Sequence, residues 1–466
     1  MLTYIFEDKN IPLYEQVYRC IKADITNGNL KPGDKLPSKR TFARNNGVST
    51  ITIQNAYDQL ISEGYIYTIP KKGYYVADIA DITRIPQETH ISLDIKTPED
   101  KKQYDIDLSA NRMNPDYFPF TVWAKLSREV ISEKSRELME ISPTSGIYEL
   151  RLAIANHLKS FRNMLVDPNQ IVVGAGTEYL YGILVQLLGA DKKYCIENPG
   201  YKKLVKIYSQ YNIDCRFASM DENGVTVGEL RKTDADIAHI CPNHHFPTGI
   251  IMPASRRYEV LAWANEKNGR YIIEDDYDSE FHIGGKPIPT LFSIDACDKV
   301  IYMNTFSKSL SPTIRMSYMI LPVPLANRFY KELSFYSCTV SNFEQYTLAS
   351  FIARGYFEKH INRMRLYYSR LRKQLMECFN RSELRRQCRV IECESGLHFL
   401  IKLDTALSEE EVEKRLDSKG IHLQKISDYC MVPDKNKEHY YIINYSNIDI
   451  NNVEYAFSQI YECIRE

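Results

Sequence analysis

The 466 residues carry 59 lysines and arginines against 60 aspartates and glutamates, with 44% hydrophobic residues and 11 cysteines. At roughly 100–200 residues per domain, that length predicts about two to four domains and a core that needs no disulfide or metal staple. The near-neutral balance excludes a chain that is basic throughout, so any nucleic-acid contact must be confined to a patch.

No stretch approaches the ~18–20 apolar residues that cross a bilayer, so no membrane partner is expected. The start, Met1 to Asp8, has no basic segment followed by an apolar one and does not read as a signal peptide. The cysteines are odd in number, scattered from Cys20 to Cys463 and never in a C-x-x-C arrangement. A disulfide framework and a thiolate zinc site are therefore not expected, no metal is assigned, and reduced thiols in a cytoplasmic protein are the simplest account.

Residues 1–76 hold ten basic and seven acidic side chains, a local charge of +3 that leaves −4 for the remainder. Leu13 to Asn27 places Leu13, Val17, Cys20, Ile21 and Ile25 at helical spacing. Ser38 can cap a helix running to about Asn45, and Ser49 can cap a second from Thr50 to Glu63. Tyr65-Ile66-Tyr67 and Tyr74-Tyr75-Val76, joined through Pro70-Lys71-Lys72-Gly73, read as a β-hairpin. A helix-turn-helix followed by a basic hairpin is a winged unit that lays its second helix in the major groove of double-stranded DNA. A small helical subdomain with surface lysines is the plainer alternative. The candidate contacts are Ser38, Lys39, Arg40, Ser49, Thr50, Thr52, Lys71, Lys72 and Gly73.

Residues 78–104 mix prolines and polar residues without a sustained period and read as a linker. Beyond them, Ile171-Val172-Val173, Tyr194-Cys195-Ile196, Ile237 to Ile240, Tyr271-Ile272-Ile273 and Val300 to Met303 are strand candidates. Helical patterns such as Glu178–Leu188 and Ala254–Lys267 lie between them. This alternation predicts an α/β body with a mostly parallel sheet, whose ligands sit beyond the carboxyl ends of the strands.

Three such strand ends carry chemistry. Ser307-Lys308-Ser309 with Arg315 suits an amine whose pKa is lowered by burial, next to a phosphate-binding guanidinium. Asp275 and Tyr277 lie on one face of an extended segment, where a carboxylate and a phenol can address a heteroaromatic ring. Gly174-Ala175-Gly176-Thr177 joins a strand to a helix, and its backbone amides suit a phosphate at the helix N-terminus. Each has a bland reading as well: a solvated lysine, an acidic turn, a tight loop.

The head resembles the winged helix of the GntR family of bacterial transcription factors. The carrying segments are Pro12 to Val17, Lys31-Pro32-Gly33-Asp34-Lys35-Leu36-Pro37-Ser38-Lys39-Arg40, Gly47-Val48-Ser49 and Ala56 to Ile66. The family commonly has arginine after the Val-Ser pair; here it is Thr50, which leaves sequence preference open. The three strand ends fall in the order and spacing of fold-type I aminotransferases, over about residues 105–466. That resemblance implies a pyridoxal 5′-phosphate cofactor, held as a Schiff base on Lys308. Asp275 would pair with the ring nitrogen and Tyr277 with the phenolic oxygen. Arg315, Thr305, Ser307, Ala175, Gly176 and Thr177 would surround the phosphate, and Tyr201 in Glu197-Asn198-Pro199-Gly200-Tyr201 would stack on the ring. Within Cys241 to Gly249, Asn243 or His245 would stand beside the cofactor oxygen.

A GntR head on an aminotransferase-like body resembles the MocR subfamily of transcriptional regulators. The resemblance implies three zones: a winged helix at 1–77, a linker at 78–104 and a cofactor-binding effector domain at 105–466. The last would divide into a large lobe of about 140–325 and a small lobe of about 326–466. It also implies promoter DNA as a partner, a small amine, an amino acid or pyridoxal phosphate as effector, and a head-to-tail, domain-swapped homodimer. An active aminotransferase with a DNA-binding head and a regulator that no longer binds the cofactor are the rival readings. Many aminotransferase-like proteins clamp a substrate carboxylate with an arginine where this chain has Asp428; Lys425 or Lys203 would have to substitute.

Overall fold

A computed structural model describes residues 2–6, 11–78, 96, 102–109, 114–281, 288–391 and 396–465. The chain divides into two compact units, Met1–Lys101 and Lys102–Glu466. Most of the linker expected at 78–104 lies outside the described residues. None of the described helices is long and apolar enough to cross a membrane, and the ten described cysteines are free.

In the first unit, α1 (Leu13–Thr26) buries Val17, Tyr18, Ile21 and Ile25, which recur at helical spacing along one face. β1 (Lys35–Leu36) leads into α2 (Lys39–Asn46), whose N-terminus is capped by Ser38 accepting from the Thr41 amide. Ser49 caps α3 (Thr50–Ser62) in the same way, accepting from the Thr52 amide at 3.0 Å. β2 (Ile66–Ile69) and β3 (Gly73–Val76) form the hairpin, and β1 adds to β3 in an antiparallel sheet of order β1-β3-β2. Val17, Phe42, Ile53, Tyr57 and Leu60, all fully buried, close a core between the helices and the hairpin.

The second unit opens with β4 (Ile106–Asp107) and two helices, α4 (Phe120–Glu133) and α5 (Tyr148–Arg162). There follow β5 (Ile171–Gly174), α6 (Thr177–Leu188), β6 (Lys193–Asn198), α7 (Lys202–Gln210), β7 (Asp214–Asp221) and β8 (Gly224–Val225). Next come α8 (Val227–Thr233), β9 (Ile237–Ile240), α9 (Ala254–Asn265), β10 (Tyr271–Asp275), α10 (Leu291–Ile294), β11 (Val300–Thr305) and β12 (Ser317–Ile320). The eight strands form one sheet of order β5-β12-β11-β10-β9-β6-β7-β8. The pairs β11–β10, β10–β9, β9–β6 and β6–β7 are parallel, while β12 runs antiparallel between β11 and β5. All five strand candidates are present. The sequence pattern did not separate β7, whose residues alternate with polar ones near an edge, or the four-residue β12, which follows directly on the lysine loop.

α11 (Val323–Glu332), α12 (Asn342–Ala353) and α13 (Tyr356–Arg381) follow. The lobe boundary expected near residue 326 falls later. Phe329 and Leu333 belong to the large-lobe core beside α6, and Val340, Leu348 and Phe351 pack with α4 and α5. The change of lobe occurs inside α13, with Ile361 in the large-lobe core and Met364 in the small. A long amphipathic helix can bury one end of its apolar face in each of two cores, which a boundary drawn between elements misses. The small lobe completes the chain with β13 (Cys388–Ile391), β14 (His398–Leu403), α14 (Glu409–Ser418), β15 (Ile421–His422), β16 (Gln424–Lys425), β17 (Tyr440–Asn444) and α15 (Val453–Ile464). Its sheet runs β13-β14-β17-β16, and β15 pairs with β4, so Leu108 enters the small-lobe core.

Candidate cofactor cleft and nucleic-acid interface

The cleft is built at the carboxyl ends of β5, β6, β9, β10 and β11, as a parallel sheet dictates. Asp275 is the last residue of β10. Its Oδ2 accepts a 2.7 Å hydrogen bond from the Tyr181 hydroxyl and lies 3.4 Å from Nε2 of His239, whose Nδ1 meets Tyr208 at 2.8 Å. Its Oδ1 is buried and has no partner. A buried carboxylate oxygen left bare costs free energy unless a ligand completes it.

Lys308 follows β11. Burial pushes its amine down to about 8, against the opposing attraction of Asp278. Thr305 and Ser307 shape the turn that carries it: the Ser317 hydroxyl donates to Thr305 Oγ1 at 2.8 Å, and Thr305 Oγ1 accepts the Ser307 amide at 3.1 Å. Across the cleft, Gly176 caps α6 with φ +93°, and an added Cβ would stand 2.5 Å from Nη2 of Arg315. The positive φ favours glycine here, and its bare Cα lets the guanidinium lie over the helix N-terminus, where Thr177 offers an amide with no intrahelical acceptor. Ala175, expected beside them, directs its amide to Thr339 Oγ1 at 3.0 Å, so that donor is already engaged. Arg315 is held by Glu178 at 3.2 Å, and Glu178 also pairs with Lys203.

Tyr201, before α7, is 44% exposed and sets its ring edge-on to Phe246 at 6.3 Å. Asn243 and His245 are both buried and hydrogen-bonded within the scaffold. Asn243 accepts from fully buried Arg257 at 2.7 Å and donates to Glu274, because a buried guanidinium must find acceptors. His245 meets Thr248 at 2.8 Å and Glu197 at 3.4 Å. Burial lowers His245 to about 3 and raises Glu197 to about 8, so at neutral pH the two are uncharged. Between them, His244 Nδ1 lies 3.2 Å from the Tyr277 hydroxyl and 2.8 Å from Asp278, and its ring is 4.7 Å from His398 of β14. Gly396 makes room for it, since a Cβ there would come within 1.9 Å of the imidazole. His239, Tyr181 and Tyr208 carried no motif and were invisible as partners of Asp275.

An anion cradle of Gly176, Thr177 and Arg315, a desolvated amine and a bare carboxylate oxygen fit a phosphorylated, cationic heteroaromatic aldehyde. Residues 104–460 match the family described as aminotransferase class I and II, and residues 13–76 that of the bacterial regulatory proteins of the gntR family. The chain is 37% identical over 422 residues to the uncharacterized HTH-type transcriptional regulator YdeL of Bacillus subtilis, covering 90% of each chain. It is 27% identical over 434 residues to the probable rhizopine catabolism regulatory protein MocR of Rhizobium meliloti, covering 90% of this chain and 87% of that one. The chain belongs to the MocR subfamily of GntR regulators.

This MocR-type chain is a pyridoxal-phosphate-dependent, DNA-binding transcriptional regulator. A second relative, 30% identical over 430 residues, is the HTH-type pyridoxine biosynthesis transcriptional regulator PdxR of Corynebacterium glutamicum, with 91% of this chain and 89% of that one covered. The fold of the MocR body is that of the multiple substrate aminotransferase of Thermococcus profundus, at a TM-score of 0.67 and 22% identity over 77% of this chain and 91% of that one.

In the MocR head, Ser49 and Thr52 bond each other at 2.8 Å, so both hydroxyls serve the helix cap. Ser38 does the same with Thr41. Arg40, Thr50, Lys71 and Lys72 are exposed, and Lys39 lies 5.4 Å from the Tyr74 ring centroid. Gly73, at φ +119°, opens β3 after the turn that carries both wing lysines. Gln54 and Asn55 on α3 are also exposed.

Proposed function

We propose that DNA binding by this chain responds to pyridoxal phosphate loading on Lys308, so that the cofactor is itself the signal. When bound, the cofactor supplies an aldehyde that condenses with amines and a ring that withdraws electrons. In this reading Lys308 carries it, Asp275 faces the ring nitrogen, and Tyr277 with His244 faces the phenolic oxygen. Tyr201 covers the ring, and Arg315 with Gly176, Thr177, Thr305 and Ser307 surrounds the phosphate. Burial of Lys308 keeps its amine available near neutral pH.

The carrying observation is the charge at the expected effector end. Asp428 stands where a carboxylate-clamping arginine is usual, half-buried and balanced by Lys425 and Lys202. The two lysines that would substitute are both paired, Lys425 with Glu413 at 2.9 Å and Lys203 with Glu178. An amino-acid carboxylate would have to displace one of these pairs or draw on exposed Lys202 to find a counter-charge. The named role of PdxR in pyridoxine biosynthesis is consistent with cofactor sensing.

The protein acts in this reading as a homodimer. Exposed Met139, Ile141, Tyr148, Phe335 and Phe343 lie on α5, α12 and the loops beside them, which pack together. Apolar exposure of that extent marks an interaction surface. The head-to-tail swap implied by the resemblance is kept as part of the proposal. Duplex affinity measured with and without pyridoxal phosphate tests the reading; equal affinities would sink it, and cross-linking between heads and bodies of differently tagged chains tests the swap.

A further inference from the structure

The helix that enters the groove carries no cation. All thirteen residues of α3, Thr50-Ile51-Thr52-Ile53-Gln54-Asn55-Ala56-Tyr57-Asp58-Gln59-Leu60-Ile61-Ser62, lack lysine and arginine. Ile53, Ala56, Tyr57 and Leu60 are buried in the head, which fixes the opposite face as the one shown to a ligand. On the first two turns that face presents Thr50, Ile51, Gln54 and Asn55, and Ile51 is 71% exposed although large and apolar. Asp58 is also exposed but lies a turn further from the helix N-terminus, the end that meets base edges in a helix-turn-helix. The cations sit on the flanking elements instead: Lys35 on β1, Arg40 and Arg44 on α2, Lys71 and Lys72 on the wing. Phosphate attraction and base reading are therefore divided between different elements.

The exposed groups of α3 have a definite complement. Guanine shows two acceptors in the major groove and is gripped by two donors, from arginine or lysine; α3 has neither. Adenine shows one donor and one acceptor, which a primary carboxamide matches with both its atoms, and thymine shows a methyl group that an apolar side chain covers. We infer that α3 reads A·T pairs: Gln54 and Asn55 grip adenine edges, and Ile51 with the Thr50 methyl covers thymine methyls. Each half-site core then contains A·T steps and no obligatory guanine beneath α3. The inference rests on the DNA-binding reading and deepens it by naming the base pairs recognised.

Selection from a random duplex library by the full-length, cofactor-loaded protein tests it. The enriched half-site contains A·T pairs whose preference disappears in Gln54→Ala or Asn55→Ala. In the selected duplex, 7-deazaadenine at those positions weakens binding roughly 5- to 150-fold. Uracil for thymine weakens wild-type binding, weakens Ile51→Ala less, and has no further effect on the Thr50→Ser, Ile51→Ala double variant. Circular dichroism and thermal unfolding unchanged from wild type in each variant show that the head is folded. An enriched core with an obligatory G·C pair that is indifferent to Gln54 and Asn55, or no enrichment despite salt-dependent binding, overturns the inference. Failure of the wild type to bind any duplex overturns the DNA-binding reading itself.

Discussion

Tyr181 donates a 2.7 Å hydrogen bond to Oδ2 of Asp275, and Oδ1 of the same carboxylate is buried and bare. One oxygen is fixed by the scaffold and the other is left for a ligand. Asp275→Asn preserves the shape and removes the charge, so retention of pyridoxal phosphate on dialysis should fall roughly 10- to 150-fold, as for loss of a charged hydrogen bond. Tyr181→Phe frees the carboxylate to rotate and costs about 1 kcal/mol of cofactor affinity. Unchanged retention in Asp275→Asn would contradict this role.

Lys308 sets a pH dependence. Its amine is cationic below about 8 and neutral above, and only the neutral form attacks an aldehyde. The rate of cofactor loading, followed by visible absorbance, should rise with pH to a midpoint near 8. A midpoint close to the ordinary lysine value of ~10.4 would show that burial does not act on this amine.

Glu197 makes a stability prediction of the opposite slope. Its pKa is raised by burial from 4.5 to about 8, so the folded state keeps a proton that the unfolded state has lost. This stabilising contribution is complete below pH 4.5 and is lost as pH rises towards 8, beyond which it is gone. Thermal unfolding of Glu197→Gln should lack that loss, so the variant gains on the wild type by on the order of a few kcal/mol between pH 5 and 8. Parallel pH profiles for the two proteins would refute it.

Gly176→Ala tests the anion cradle. Its Cβ would meet Arg315 at 2.5 Å, and the left-handed backbone adds strain of about 1 kcal/mol or more. Cofactor affinity should drop, and phosphate alone should no longer compete with the cofactor. In the head, Lys72→Ala should weaken binding to all duplexes about equally and reduce the salt slope by about 1.

Much of this was legible in the sequence. Ser38 and Ser49 announced two helices through their caps, and the runs ending at Val173, Ile196, Ile240, Ile273 and Met303 announced the sheet. Lys308 and Gly176 were legible as candidates because they come just after a strand, Asp275 because it ends one, and Arg315 because it lies seven residues beyond Lys308 in the same loop. His239 and Tyr181 were not, because their link to Asp275 crosses from β9 and α6 to β10 and depends on register. Which of Asn243 and His245 would stand beside the cofactor was not legible for a related reason: their partners Arg257 and Glu197 are not local in sequence. The lobe boundary failed because α13 serves two cores.

The central claim, that cofactor loading on Lys308 governs DNA binding, is tested most directly by one titration. Full-length protein bound to its selected duplex is titrated with pyridoxal phosphate while cofactor absorbance and DNA affinity are recorded together, for wild type and Lys308→Ala. The account predicts that both signals change in the wild type with a common midpoint and that neither changes in the variant. Cofactor absorbance that rises while DNA affinity stays constant, or an equal response in Lys308→Ala, would contradict it.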